Sequence, residues 1–238
     1  MQFVLVHGGW QGGWCWDGVA KHLRSEGHAV FAPTMRGQEE GDVDRSGVML
    51  SDLADGVISA IEEQDLRDIV LVGHSGGGAV IQLIAENQPA RVSRIIFVDA
   101  WVLRDGEKIN DILPAPLVEA VSALASERPD HTIPMSPEMF FESFMQDATP
   151  ELLASVAPRL VPSPAGWLEQ PTHLPLFESL RLPSSYVFLR HDQAVPFDIY
   201  RSMADRLDDP RIVECEGSHE AMLTRPTELA MALLAAAV

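Results

Sequence analysis

At 238 residues, 46% hydrophobic and 22% charged, the chain has the composition of one soluble domain with a substantial core rather than of two small ones. Its formal net charge of −18 would be repelled by nucleic acid and by anionic membrane surfaces. Neither is an expected partner, whereas neutral or cationic small molecules are compatible with that charge. No apolar run approaches the ~20 residues of a membrane span; Cys15 and Cys215 match no metal-ligand spacing and are expected to be buried free thiols in a reducing cytoplasm.

The opening Gln2-Phe3-Val4-Leu5-Val6-His7-Gly8-Gly9 reads as a core strand running into a glycine turn, with no basic and apolar leader before it to act as a signal peptide. Trp16–Ser25 reads as a helix ended by Gly27, and Ala29–Ala32 as a second strand. Leu53, Val57, Ile58 and Ile61 form a helical stripe with one buried face. Ile69–Val72 is a strand, followed by a helix from Gly76 to Gln88 that Pro89 closes, and Ile95–Val98 is the next strand. Near-continuous apolar strands separated by helices predict an α/β fold with a mostly parallel twisted sheet covered on both faces.

The middle of the chain changes character. Twelve of the seventeen prolines lie between Pro114 and Pro183, and the patches Pro116–Ser126, Pro137–Gln146 and Pro150–Ala157 are helical with no strands between them. Residues 102–183 are therefore expected to be an inserted helical cap, with residues 1–101 and 184–238 forming the core of a single-domain protein. Alternation resumes at Tyr186–Leu189, followed by a helix near Asp198–Leu207, a strand at Ile212–Cys215 and a last helix after Pro226.

Gly73-His74-Ser75-Gly76-Gly77 is a G-x-S-x-G pentapeptide set between the strand Ile69–Val72 and the helix that begins Ala79-Val80-Ile81. Strand, tight turn and helix are the context of a nucleophile elbow, in which the serine hydroxyl projects at the carboxyl edge of the sheet. A phosphate-holding turn is the competing reading, but that would call for a lysine or a G-x-G-x-x-G pattern, and neither is present. Ser75 is the expected nucleophile.

A serine alcohol needs a base to take its proton. The elbow resembles that of the α/β-hydrolase fold, where the acid and then the histidine follow the serine on late loops. Of the eight histidines, only His219 follows the final strand, in Cys215-Glu216-Gly217-Ser218-His219. The acid should follow the penultimate strand, and Asp192 does so; Asp99, at the end of an earlier strand, is the competitor. The first turn, His7-Gly8-Gly9-Trp10, should face the elbow, so the N–H groups of Gly9 and Gly76 are the candidate oxyanion hole, with Trp10 an alternative to Gly9. Trp10, Trp101, Phe140, Phe141, Trp167 and Met222 are candidates to line an apolar substrate pocket, each of them equally suited to core packing.

Together these residues resemble the small plant methyl-ester esterases and hydroxynitrile lyases of the α/β-hydrolase superfamily and bacterial relatives such as pyrethroid hydrolases. The similar stretches are Val4 to Trp16, Val72 to Gly77, Asp192 to Pro196 and Gly217 to Leu223. The resemblance implies a Ser-Asp-His triad, no metal or other cofactor, a helical cap over an apolar pocket, a small ester as substrate and, often, a homodimer. Lyases of the family carry threonine at the position of Gly8 and lysine at that of Glu220; a carboxylate there opposes a departing anion such as cyanide. Ester hydrolysis is the leading expectation. Carbon–carbon bond cleavage or natural-product tailoring with the same triad is the alternative, since fold does not fix chemistry, and a non-catalytic ligand receptor is a third.

Overall fold

The computed structural model describes residues 1–41 and 43–238. The first part of the chain alternates: β1 (Gln2–Val6), α1 (Asp17–Ser25), β2 (Ala29–Phe31), α2 (Leu50–Glu63), β3 (Ile69–His74), α3 (Gly77–Asn87) and β4 (Val92–Val98). The middle holds α4 (Ala115–Ser126), β5 (Thr132–Ile133), α5 (Pro137–Phe144), α6 (Pro150–Val156), β6 (Ser163–Pro164) and α7 (Gly166–Glu169). The chain ends with β7 (Ser184–Leu189), α8 (Phe197–Ala204), β8 (Arg211–Cys215), α9 (Ala221–Thr224) and α10 (Pro226–Ala236).

Six strands form one sheet in the order β2-β1-β3-β4-β7-β8, every neighbouring pair parallel. Alternate side chains point to opposite faces, and both faces are covered. Val4, Val6, Leu71, Ile95, Phe97 and Tyr186 pack toward α2, α3 and α8. Phe3, Leu5, Val72, Ile96, Val98 and Val187 pack toward α1 and α10. This two-sided burial is why the strands read as continuous apolar runs. α3 is buried from Gly77 to Ala85, which accounts for its lack of a polar face, whereas α2 buries the single stripe Leu53, Val57 and Ile61. Gly27 ends α1 with φ +83°, a left-handed backbone suited to glycine. Both cysteines are buried free thiols.

The middle segment departs from the expected all-helical insert. Thr132–Ile133 and Ser163–Pro164 pair as a small antiparallel ladder, too short for periodicity to reveal. Nor is the segment packed as a separate body. Val102, Ile109, Ile133, Trp167, Leu168 and Leu174 belong to the main core, and only Phe140, Met145 and Val156, with partly buried neighbours, form a cluster of their own. Among the described residues no helix is long and apolar enough to cross a membrane.

β1 lies between β2 and β3, so the chain leaves its carboxyl end in one direction and returns on the other side. Such a switch point opens a crevice at the strand ends, and here the turn after β1 meets the turn after β3. A methyl group built on Gly73 would lie 2.7 Å from the Gly77 carbonyl oxygen, and one on Gly77 would lie 2.6 Å from that of His7. Both neighbours are main chain and cannot move aside cheaply. Gly77→Ala is therefore expected to destabilise the fold by about 1–3 kcal/mol, the usual cost of overpacking. Gly56→Ala, whose methyl in α2 meets nothing nearer than 3.9 Å, is expected to gain about 0.5–1 kcal/mol. Chemical denaturation midpoints of the two variants test the contrast.

Candidate active site

Ser75 sits on the turn between β3 and α3 with φ +52°, a left-handed conformation that costs a non-glycine residue of order 1–3 kcal/mol. Main-chain bonds hold it there. Its N–H donates to the Val98 carbonyl at 3.2 Å, and its carbonyl accepts from Gly78 N at 3.0 Å and Trp101 N at 3.1 Å. The turn delivers Ser75 to a cavity of about 1110 Å³, counting its open mouth.

His219 and Asp192, 144 and 117 residues along from Ser75, come to the same place. Asp192 follows β7, His219 follows β8, and His219 Nδ1 lies 2.5 Å from Asp192 Oδ2. The other Asp192 oxygen accepts from Ala194 N at 2.7 Å. The imidazole is buried against His74, Phe144 and Tyr200, and the Tyr200 hydroxyl is 3.3 Å from its Nδ1. Burial opposes charge on His219, but the Asp192 carboxylate and its hydrogen bond outweigh it and hold the imidazole above its ordinary range. Burial likewise pushes the Asp192 carboxyl up, and the His219 charge and hydrogen bond outweigh it and keep the group low. With Nδ1 committed to the carboxylate, Nε2 is the nitrogen left to accept a proton.

Asp99 stands directly behind this pair. It is fully buried, and Oδ2 accepts from Leu189 N at 3.0 Å. Burial and then the Asp192 charge push its carboxyl well above the usual range. Asp99, biased toward its neutral form, makes its hydrogen bond to Leu189 rather than to the histidine.

The N–H groups of Gly9, Trp10 and Gly76 donate to no carbonyl among the described residues. A methyl built on Gly76 would lie 2.4 Å from the Trp167 indole, and one on Gly9 would lie 3.3 Å from it. One indole edge therefore covers both candidate oxyanion glycines. Trp10, with φ +64°, is anchored by Nε1 to the Ile133 carbonyl at 3.0 Å and stacks on Phe144.

Trp10, Trp101 and Trp167 line the cavity; Phe140, Phe141 and Met222 do not. Phe140 and Phe141 pack in the small cluster on the far side of α5. On that helix Met139 and Ser143, four residues apart and hence on one face, meet the cavity together with Phe144. Met222 lies beneath the sheet between α1 and α10. Sequence reasoning passed over Leu113, Leu117, Val121 and Leu124, a helical stripe that supplies one wall; its three- and four-residue spacing was the available signal. It also passed over Tyr200, and it read Glu220 only as the residue in place of a lysine, not as a buried wall residue whose carboxyl burial pushes up to about 7.

One donor atom each from His74, His219 and Glu220 lies within 4.8 Å of the others, close enough in principle for a divalent cation. With Nδ1 held by Asp192, such an ion would take the Nε2 lone pair of His219, so metal binding and general-base action exclude each other here.

The alpha/beta hydrolase family matches residues 3–232. The chain is 30% identical to a carbendazim hydrolyzing esterase from Nocardioides sp. (strain SG-4G), covering 98% of both proteins. It is 27% identical to salicylic acid-binding protein 2 of Nicotiana tabacum over 98% of this chain and 95% of that one. Among solved structures it superposes, with a TM-score of 0.92 and 31% identity, on an extracellular alpha/beta-hydrolase from a Paenibacillus species, covering 99% of this chain and 98% of that one. That protein is described as sharing structural and functional homology with the tobacco protein.

The raised pKa of the Asp99 carboxyl has a consequence for stability. An acid whose folded pKa is raised supports the fold fully below the ordinary carboxyl range and loses that support as pH climbs toward the folded value. Asp99→Asn keeps an acceptor for Leu189 N and a donor for Asp192 without that penalty. Its stability relative to the parent protein is expected to improve from pH 4 to pH 8 in parallel urea titrations.

Proposed function

The chain belongs to the alpha/beta hydrolase family, and from that premise we propose that it is a carboxylic ester hydrolase working through Ser75, His219 and Asp192. The observation that carries this reading is a strained serine opening onto the same cavity as an imidazole bound through Nδ1 to a buried carboxylate.

His219 Nε2 takes the Ser75 proton as Oγ attacks the ester carbonyl. The developing oxyanion is received by the N–H groups of Gly76 and Gly9, which donate to no carbonyl among the described residues and lie under Trp167. Collapse expels the alkoxide, which takes the proton back from His219 and leaves an acyl group on Ser75. A water molecule then repeats the sequence and releases the acid. Asp192 holds the productive tautomer and steadies the imidazolium without taking the proton.

The substrate class follows from the walls. Leu117, Val121, Met139 and Trp101 favour a small, largely apolar ester. Residues 102–183, which supply most of these side chains, act as the cap that selects it. No cation lines the cavity among the described residues to hold a departing cyanide, which supports hydrolysis over cyanohydrin cleavage.

Two outcomes are expected. Ser75→Ala abolishes hydrolysis of p-nitrophenyl acetate and butyrate, and intact-mass analysis after a phosphonate inhibitor finds one adduct on the parent protein and none on the variant; a parent protein that neither turns over nor labels overturns the reading. Asp192→Asn lowers kcat by ~10⁴-fold. Because the base must be neutral and the carboxylate raises its pKa, the acid limb of the parent kcat/KM profile is expected above the ordinary histidine value of about 6.5. In Asp192→Asn that limb moves to lower pH.

A further inference from the structure

Glu220 is a buried acid at the reacting end of the cavity for which the mechanism has no use. Its carboxyl is 2% exposed and lines the cavity, and one of its oxygens lies within 4.8 Å of ring nitrogens of His219 and His74. Its two oxygens share a single donor, Gln11 Nε2, at 3.0 and 2.9 Å. No lysine or arginine hydrogen-bonds to it among the described residues. The charged or titratable groups within its reach are His219, which attracts it, and Asp192, which repels it, together with the buried Cys15 thiol, which burial and then the Glu220 charge push well up; burial and then the His219 charge hold His74 well below its usual range. A carboxylate has about four lone-pair sites, and one amide nitrogen leaves most of them unmet in a buried place where unmet acceptors are costly. Apart from Glu220, the described cavity lining carries no acid and no lysine or arginine.

We propose that Glu220 is a substrate-recognition group that accepts a hydrogen bond from an N–H on the acyl side of the ester. The preferred substrates are then apolar esters with an amide, amine or ring N–H two bonds from the scissile carbonyl carbon. This rests on the ester-hydrolase reading. Once the carbonyl is seated on Ser75, a nitrogen two bonds away is only about 2.5 Å from the carbonyl carbon, on the scale of the spacing between Glu220 and His219. A purely structural Glu220, tying the first turn to α9 through Gln11, would affect all esters alike. An acceptor distinguishes esters that differ only in the donor.

Methyl hippurate and methyl 4-oxo-4-phenylbutanoate differ by N–H against CH₂ at that position. Their kcat/KM values, each divided by the ester's hydroxide-catalysed rate, give a ratio from which His219 titration cancels. At pH 8.5 the ratio is expected to favour the N–H ester about tenfold, the worth of one hydrogen bond to a charged group. It should fall as pH drops from 8.5 to 6, because a carboxyl titrating at about 7 loses its charge over that range, and it should approach unity in Glu220→Met. A ratio near one in the parent enzyme, or an unchanged ratio in Glu220→Met, overturns the proposal and leaves the hydrolase reading intact. Should Glu220→Met fail to fold, the pH course of the parent ratio decides alone, and a flat course overturns it. Turnover of neither ester by protein that a phosphonate labels at Ser75 rejects this substrate class, whereas no turnover and no labelling rejects the hydrolase reading and this proposal with it.

Discussion

Two turns of main chain pressed against each other at the carboxyl end of the sheet organise everything else at this site. The α-carbon of Gly77 faces the carbonyls of Val6 and His7, close enough that a methyl there would lie 2.9 and 2.6 Å from them. Gly8 is packed the same way, its absent methyl 3.1 Å from the Ser75 Cβ. This contact leaves Gly9 and Gly76 beneath the same Trp167 indole. It also accounts for the persistence of the strained φ of Ser75: β1 and β3 are buried on both faces, so relaxing the turn would mean shifting two central strands. Strain at a reactive residue survives only when the surroundings over-determine it, and here parallel pairing from Gln2↔Ile69 to Val6↔Gly73 does so.

The second constraint is electrostatic. Three carboxyls, Asp99, Asp192 and Glu220, are buried near two imidazoles, of which His74 is held well below its usual range, and no lysine or arginine hydrogen-bonds to any of the three acids among the described residues. One positive charge can compensate only one negative charge in such a place. The assignment goes to Asp192 because it alone meets His219 at 2.5 Å. Burial and then the Asp192 charge push Asp99 up, and Glu220 is pushed up to about 7. A cluster that looks redundant as a list of acids separates by environment into one carboxyl held low, one held well above its usual range and one that changes charge at about 7.

The elbow and the order of its partners were legible because backbone constraints write themselves into sequence. Gly73 and Gly77 have no room for side chains, and the loops after β7 and β8 are where a sheet of this connectivity must place an acid and a base. Asp99 against Asp192 was harder, since both end strands; only the neighbours, Leu189 N for one and His219 for the other, separate them. The pocket lining was half legible. Trp10, Trp101 and Trp167 face the cavity, while Phe140 and Phe141 turn away from it, because one residue along a helix is a rotation of about 100° and composition carries no phase. Met222 failed for a similar reason: its helix packs under the sheet. Glu220 was noticed only as a missing lysine, since nothing in the chain announces that a carboxyl beside a histidine will be buried in an otherwise apolar wall.

The cavity walls also limit how the enzyme can adapt to what it binds. Ile109, Ile133, Trp167 and Leu168 belong at once to the cavity and to the main core, and Trp167 rests on both Gly9 and Gly76. Swinging residues 102–183 away as one lid would strip apolar surface from that core at about 25 cal/mol per Å² and uncover these two glycines. α4 and α5 are differently placed. Leu117, Leu124 and Met139 line the cavity while remaining 38%, 38% and 55% exposed, so one face of each helix already meets solvent and little packing is lost when it shifts. The packing thus leaves these two helices at the mouth the least constrained part of the wall, and β1, the elbow and Trp167 the most constrained.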